Sequence, residues 1–62
     1  MIIVSQYHYE KTWTPTPDKE ILRMLTELFP DIPPQETLPY IKSECALGKI
    51  VTFNDVKFKA QD

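Results

Sequence analysis

The chain has 62 residues, seven Lys or Arg against nine Asp or Glu, and a net charge of −2. That length allows one small domain, 1–62, and the composition excludes a disordered chain and any run of about 18 uncharged apolar residues able to cross a membrane. It also argues against a self-contained enzyme, because so few residues rarely build both a core and a walled cleft.

A single cysteine, Cys45, forbids an intrachain disulfide and points to a reducing, cytoplasmic setting. No basic segment followed by an apolar run marks a signal peptide at Met1-Ile2-Ile3-Val4. A domain of this size buries only about 60% of the surface its unfolded chain exposes. Without bridges, its remaining routes to stability are regular packing, a protein partner or a homodimer.

Residues 2–9 read as a strand, rich in Ile, Val and Tyr with no Gly or Pro. Ile2 and Val4 alternate with Ile3, so neither face is plainly the wet one, which marks a central strand or one touched on both sides. Thr12 to Pro17 reads as a linker stiffened by two prolines. Thr16 is expected to cap a helix over 17–29, with Pro17 at its first position and Asp18 and Glu20 in its first turn. Ile21, Leu22, Met24, Leu25, Leu28 and Phe29 form one stripe at helical period, and Pro30 stops the run.

Asp31 to Pro34 is a stiff connection. A second helix is expected over 38–47, capped by Thr37, because Pro39 fits best in a first turn; a separate turn can occupy 34–37. Tyr40, Ile41, Cys45 and Leu47 supply its apolar face. Gly48, the sole glycine, stands where a helix needs a left-handed terminating residue. Residues 49–60 read as a hairpin by parity. Val51 and Phe53 are odd and Val56, Phe58 and Ala60 even, so a two-residue turn at Asn54-Asp55 pairs 53 with 56 and 51 with 58 on one face. The order β-α-α-β-β gives an α+β fold: an antiparallel sheet of the N-terminal strand and C-terminal hairpin, with two helices on one face.

The residues that could carry chemistry are few. His8 is the only histidine, so no second imidazole completes a metal site, and one glycine excludes a glycine-rich phosphate loop. No cofactor is expected, and His8 and Cys45 read as a surface histidine and a small buried hydrophobe. Function is therefore expected through binding. Tyr7, Tyr9 and Trp13 are candidate anchors for a protein partner, with Glu20 and Glu27 contributing charge. The chain reads as a small regulator, adaptor or inhibitor, a size class frequent among virus- and mobile-element-encoded factors.

Two nucleic-acid readings stand beside this one. If tyrosines share the outer sheet face with Lys57 and Lys59, the patch can stack and clamp a single strand. The helix-helix-hairpin order over residues 18–60 also resembles part of a winged helix. Its run Ile41-Lys42-Ser43-Glu44-Cys45-Ala46-Leu47-Gly48-Lys49-Ile50 is similar to the end of a recognition helix entering a wing. That resemblance implies DNA contact through Lys42 and Lys49, although Glu44 stands between them and a net charge of −2 does not favour phosphate binding.

Overall fold

The structure, a computed structural model, describes residues 1–61. Strand β1 spans Ile2–Tyr7, β2 Thr14–Pro15, β3 Val51–Phe53 and β4 Val56–Gln61, and helices α1 and α2 span Asp18–Leu28 and Pro34–Ala46. The four strands form one antiparallel sheet in the order β2-β1-β4-β3. The expected sheet of N-terminal strand plus hairpin is present, extended by a short fourth strand.

Register follows side-chain parity. Phe53 pairs with Val56 and Val51 with Phe58, the pairing that the odd-to-even switch across Asn54-Asp55 requires. Asn54 adopts a φ of +49°, a conformation asparagine tolerates better than most residues with a Cβ. On the other side of β4, Ile3 meets Ala60, Ser5 meets Phe58 and Tyr7 meets Val56. One sheet face therefore carries Ile3, Val51, Val56 and Phe58 into a core completed by Ile21, Met24 and Leu25 of α1 and Ile41 and Cys45 of α2. The rings of Phe29, Phe53 and Phe58 run edge to face through it, with centroids 5.4 and 6.4 Å apart.

Three expectations about the elements are corrected. The 12–17 segment is not wholly a linker: Thr14-Pro15 pairs with Ser5 and Val4 as an edge strand, where a proline is tolerated because its nitrogen has no partner to lose. Thr16 does not cap α1; Pro17 occupies that position, and its carbonyl accepts from the amides of Glu20 and Ile21. The second helix is continuous from Pro34 rather than starting at 38. Pro39 costs it the bond to the Gln35 carbonyl, but Gln35 is exposed and its carbonyl is free to meet water, while Leu38, Ile41 and Cys45 hold the helix to the core.

The end of α2 is as expected. Gly48 adopts a φ of +82°, its amide donates to the Cys45 carbonyl, and the Lys49 amide donates to the Glu44 carbonyl. This is a Schellman ending, in which a left-handed residue turns the chain while two orphan carbonyls gain donors. The apolar face of α2 is narrower than its composition suggests: Ile41 and Cys45 are buried, whereas Tyr40 and Leu47 are exposed.

Candidate functional site

β1 ends at Tyr7 instead of continuing to residue 9, and local hydrogen bonds explain why. The Glu10 amide donates to the Tyr7 carbonyl, and the Glu10 carboxylate accepts from the Tyr7 amide at 2.9 Å. Both outward polar groups of Tyr7 are thus satisfied by a residue three positions on, and the chain folds back. His8 closes the turn from the other side, its amide donating to the Asp55 carbonyl at 2.7 Å.

That turn brings Tyr9 against Tyr7. Their rings stack with centroids 5.3 Å apart and planes 16° from parallel, and His8 meets Tyr9 edge-on. Tyr7 packs against the core, while Tyr9 is 69% exposed. Tyr9 therefore presents a large surface whose position is fixed by a half-buried neighbour. Little side-chain freedom remains to be lost when a partner covers it.

Charge surrounds the pair. On the open side of α1, Arg23 bridges Glu20 at 2.8 Å and Glu27 at 3.0 Å, the i,i+3 and i,i+4 pairs that helix geometry allows. Asp55 lies 3.6 Å from His8 Nδ1. A groove of about 300 Å³ lined by Tyr7, Glu10, Glu20 and Arg23 adjoins the stacked rings. Four carboxylates against the Arg23 guanidinium and the adjacent Lys11 leave this group of side chains net negative. The Arg23 hydrogen bond and charge hold the Glu20 carboxyl below its ordinary range.

Burial, reinforced by Tyr9 and Glu27, pushes the Tyr7 phenol above its ordinary range. A raised folded-state value favours the protonated phenol, so the stability it contributes is full below the unfolded value near 10 and is lost as pH rises through the folded value. Ultraviolet titration of the tyrosinate band is expected to show Tyr7 ionising above the ordinary tyrosine range. A Tyr7 that ionises in the ordinary tyrosine range with the fold intact would contradict this environment.

The sequence-predicted anchors divide into two places. Tyr7, Tyr9, Glu20 and Glu27 come together at the end of β1. Trp13 does not join them. It lies with the lysines on the opposite sheet face, where the ammonium groups of Lys59 and Lys57 stand 4.4 and 5.5 Å from its ring centre. The conditional arrangement of tyrosines beside Lys57 and Lys59 is not formed, because register puts Tyr7 on the core face and Tyr9 in the turn. Val4 points away from the helices yet is 1% exposed, flanked by its register partners Pro15 and Lys59.

The remaining candidates have local partners. Lys42 bonds Asp18 at 2.6 Å and ties α2 to the start of α1, while Lys49 lies 3.9 Å from Glu44. Cys45 is sealed in the core, where burial pushes its thiol up, and His8 stands exposed at the turn. Among the described residues no cluster of three or more His, Cys, Asp or Glu could hold a metal ion. No helix among them is long and apolar enough to cross a membrane.

Sequence reasoning missed Glu10, Arg23 and Asp55 as members of this site. A signal for the first was available: a carboxylate three residues after the last strand position can cap that strand's final amide. No protein-family model matches the chain, and no curated protein or solved structure is significantly similar to it.

Proposed function

We propose that the chain is a small non-enzymatic regulator, adaptor or inhibitor that acts by binding another protein through the Tyr7–Tyr9 end. The observation that carries this reading is the exposed Tyr9 ring, held by stacking on Tyr7, which itself has Glu10, Glu27 and Asp55 among its neighbours. An aromatic anchor fixed in one orientation and ringed by charge is the usual composition of a recognition hot spot. The acidic surround selects a partner with a basic rim and speeds encounter with it. The buried, protonated thiol of Cys45 suits a reducing cytoplasm, where such a partner would be met.

A second reading has one observation in its favour. No outer-face strand position among the described residues carries a carboxylate, and Lys57 and Lys59 stand there with Trp13. This is the charge and ring combination of a single-strand clamp. Against it, the Lys59 ammonium stands over the indole ring at 4.4 Å, where a base would have to stack. The winged-helix reading has less support, since Lys42 is held by Asp18.

Affinity capture with wild-type chain and Tyr9→Ala separates these. The protein-binding reading expects the partner to be lost with Tyr9→Ala, a weakening of about tenfold or more, with the circular dichroism unchanged. Nucleic acid retained by Tyr9→Ala and released by Lys59→Ala or by salt would favour the second reading instead.

A further inference from the structure

The two layers of the molecule differ in charge. Helices α1 and α2 hold five carboxylates against Lys19, Arg23 and Lys42, a net of −2. The outer sheet face is the reverse. Parity puts Ile2, Val4 and Gln6 of β1, Thr52 of β3 and Lys57 and Lys59 of β4 on the side away from the core, and both helices pack on the other side. Among the described residues, no outward strand position carries a carboxylate.

The lysines share this face with apolar surface. Their ammonium groups stand 5.5 and 4.4 Å from the ring centre of Trp13, which is half-buried. Ile2 is 54% exposed, and Ile50, just before β3, is 56% exposed. An indole, aliphatic side chains and lysines without carboxylates are the components of a surface that lies in a membrane interface. Rings and methyl groups reach the boundary of headgroups and acyl chains, while ammonium groups stay at the level of the phosphates.

We propose that the outer sheet face docks on an anionic lipid bilayer. Charge complementarity selects this occupant. Lys57 and Lys59 meet anionic headgroups while the acidic helical layer lies on the far side, so the charge separation turns the sheet toward the membrane. The apolar side chains separate a lipid surface from a nucleic-acid strand, because Ile2 and Ile50 gain nothing from phosphates and sugars but lose water at the acyl boundary. A strand would also need the indole face over which Lys59 stands. The contact is reversible, since two lysines and two aliphatic side chains supply less than a spanning helix or a pair of lipid anchors.

Trp13 is the only tryptophan, so its fluorescence reports on this face directly, and the docking is independent of the Tyr7–Tyr9 reading. The full chain is titrated with phosphatidylcholine vesicles containing about a quarter phosphatidylserine, with phosphatidylcholine vesicles alone, and with a single-stranded oligothymidylate. The anionic vesicles are expected to shift Trp13 emission to the blue, less so as salt rises, and the other two probes to leave it unchanged. Lys57→Gln with Lys59→Gln is expected to weaken vesicle binding by about tenfold or more, and Ile2→Ser by about fivefold, with circular dichroism unchanged. If the lysine double variant does not fold, the salt dependence of the wild type decides in its place. Tyr9→Ala is expected to bind vesicles as the wild type does. An emission that anionic vesicles do not move, even at millimolar lipid, overturns the proposal. So does an equal response to neutral vesicles, a response to oligothymidylate in place of vesicles, binding indifferent to salt, or a folded lysine or Ile2 variant that binds like the wild type.

Discussion

Phe58→Ala is expected to cost about 3–5 kcal/mol and to leave most of the chain unfolded at room temperature. Phe58 is fully buried on β4, one of the two inner strands, beside β1 at Ser5 and β3 at Val51. Its ring also links through Phe53 to Phe29 just beyond the end of α1. Removing it opens a cavity shared by both layers, so no single element can move to fill it. A domain of this length has a total stability of only roughly 3–9 kcal/mol, so the loss is of the same order as the whole. Denaturant unfolding followed by circular dichroism measures it. A loss under about 1 kcal/mol would mean that the core is organised around another residue. Phe53→Ala, at a partly exposed position on the edge strand, is expected to cost less.

The second large effect concerns a polar pair inside the molecule. Ser5 and Thr16 are buried, and their hydroxyl oxygens lie 2.6 Å apart. Thr16 Oγ1 also donates to the Thr14 carbonyl at 2.8 Å, which uses its only proton, so Ser5 must donate to Thr16. The direction makes the two substitutions unequal. Thr16→Val keeps the shape but orphans the Ser5 proton in a buried place, at an expected cost of about 2 kcal/mol. Ser5→Ala leaves Thr16 still bonded to Thr14 and is expected to cost about 1 kcal/mol or less. The double variant removes the orphan as well as the pair, so its cost is expected to fall below the sum. Equal single effects that simply add would show that the hydroxyls are solvated, not coupled.

Most of the fold is legible where a physical rule acts through many residues at once. Hairpin register follows from the parity switch at Asn54-Asp55, α1 from a stripe of six apolar residues, and the end of α2 from Gly48. What was hidden depends on single contacts. The pairing of Thr14-Pro15 with β1 is too short to leave a pattern. Thr16 looks like a helix cap until its hydroxyl is seen inside the sheet edge. Pro39 looks like a helix start until Leu38, Ile41 and Cys45 are seen holding a helix that runs through it. The two-sided apolar character of Ile2, Ile3 and Val4 did signal cover on the outer face, where Val4 is buried between Pro15 and Lys59.

The candidate site shows the same limit. Tyr7, Tyr9, Glu20 and Glu27 converge because the strand ends early and folds back, a turn set by Glu10 and Asp55. Spacing in a straight strand would have placed the two tyrosines side by side on one face, and stacked by neither register nor turn. Trp13 parts from them because it lies with Lys57 and Lys59, whose side chains stand on the face opposite Val56 and Phe58. The division leaves Trp13 with Lys57 and Lys59 on the outer sheet face and Tyr9 exposed beside Tyr7.

The recognition role of that anchor is the central claim, and parallel affinity capture with wild type, Tyr9→Ala and Trp13→Ala tests it most directly. The account predicts that Tyr9→Ala loses the bound protein while remaining folded, and that Trp13→Ala, if folded, retains it. Full retention by Tyr9→Ala with loss by Trp13→Ala would contradict it and move the recognition surface to the outer face of the sheet.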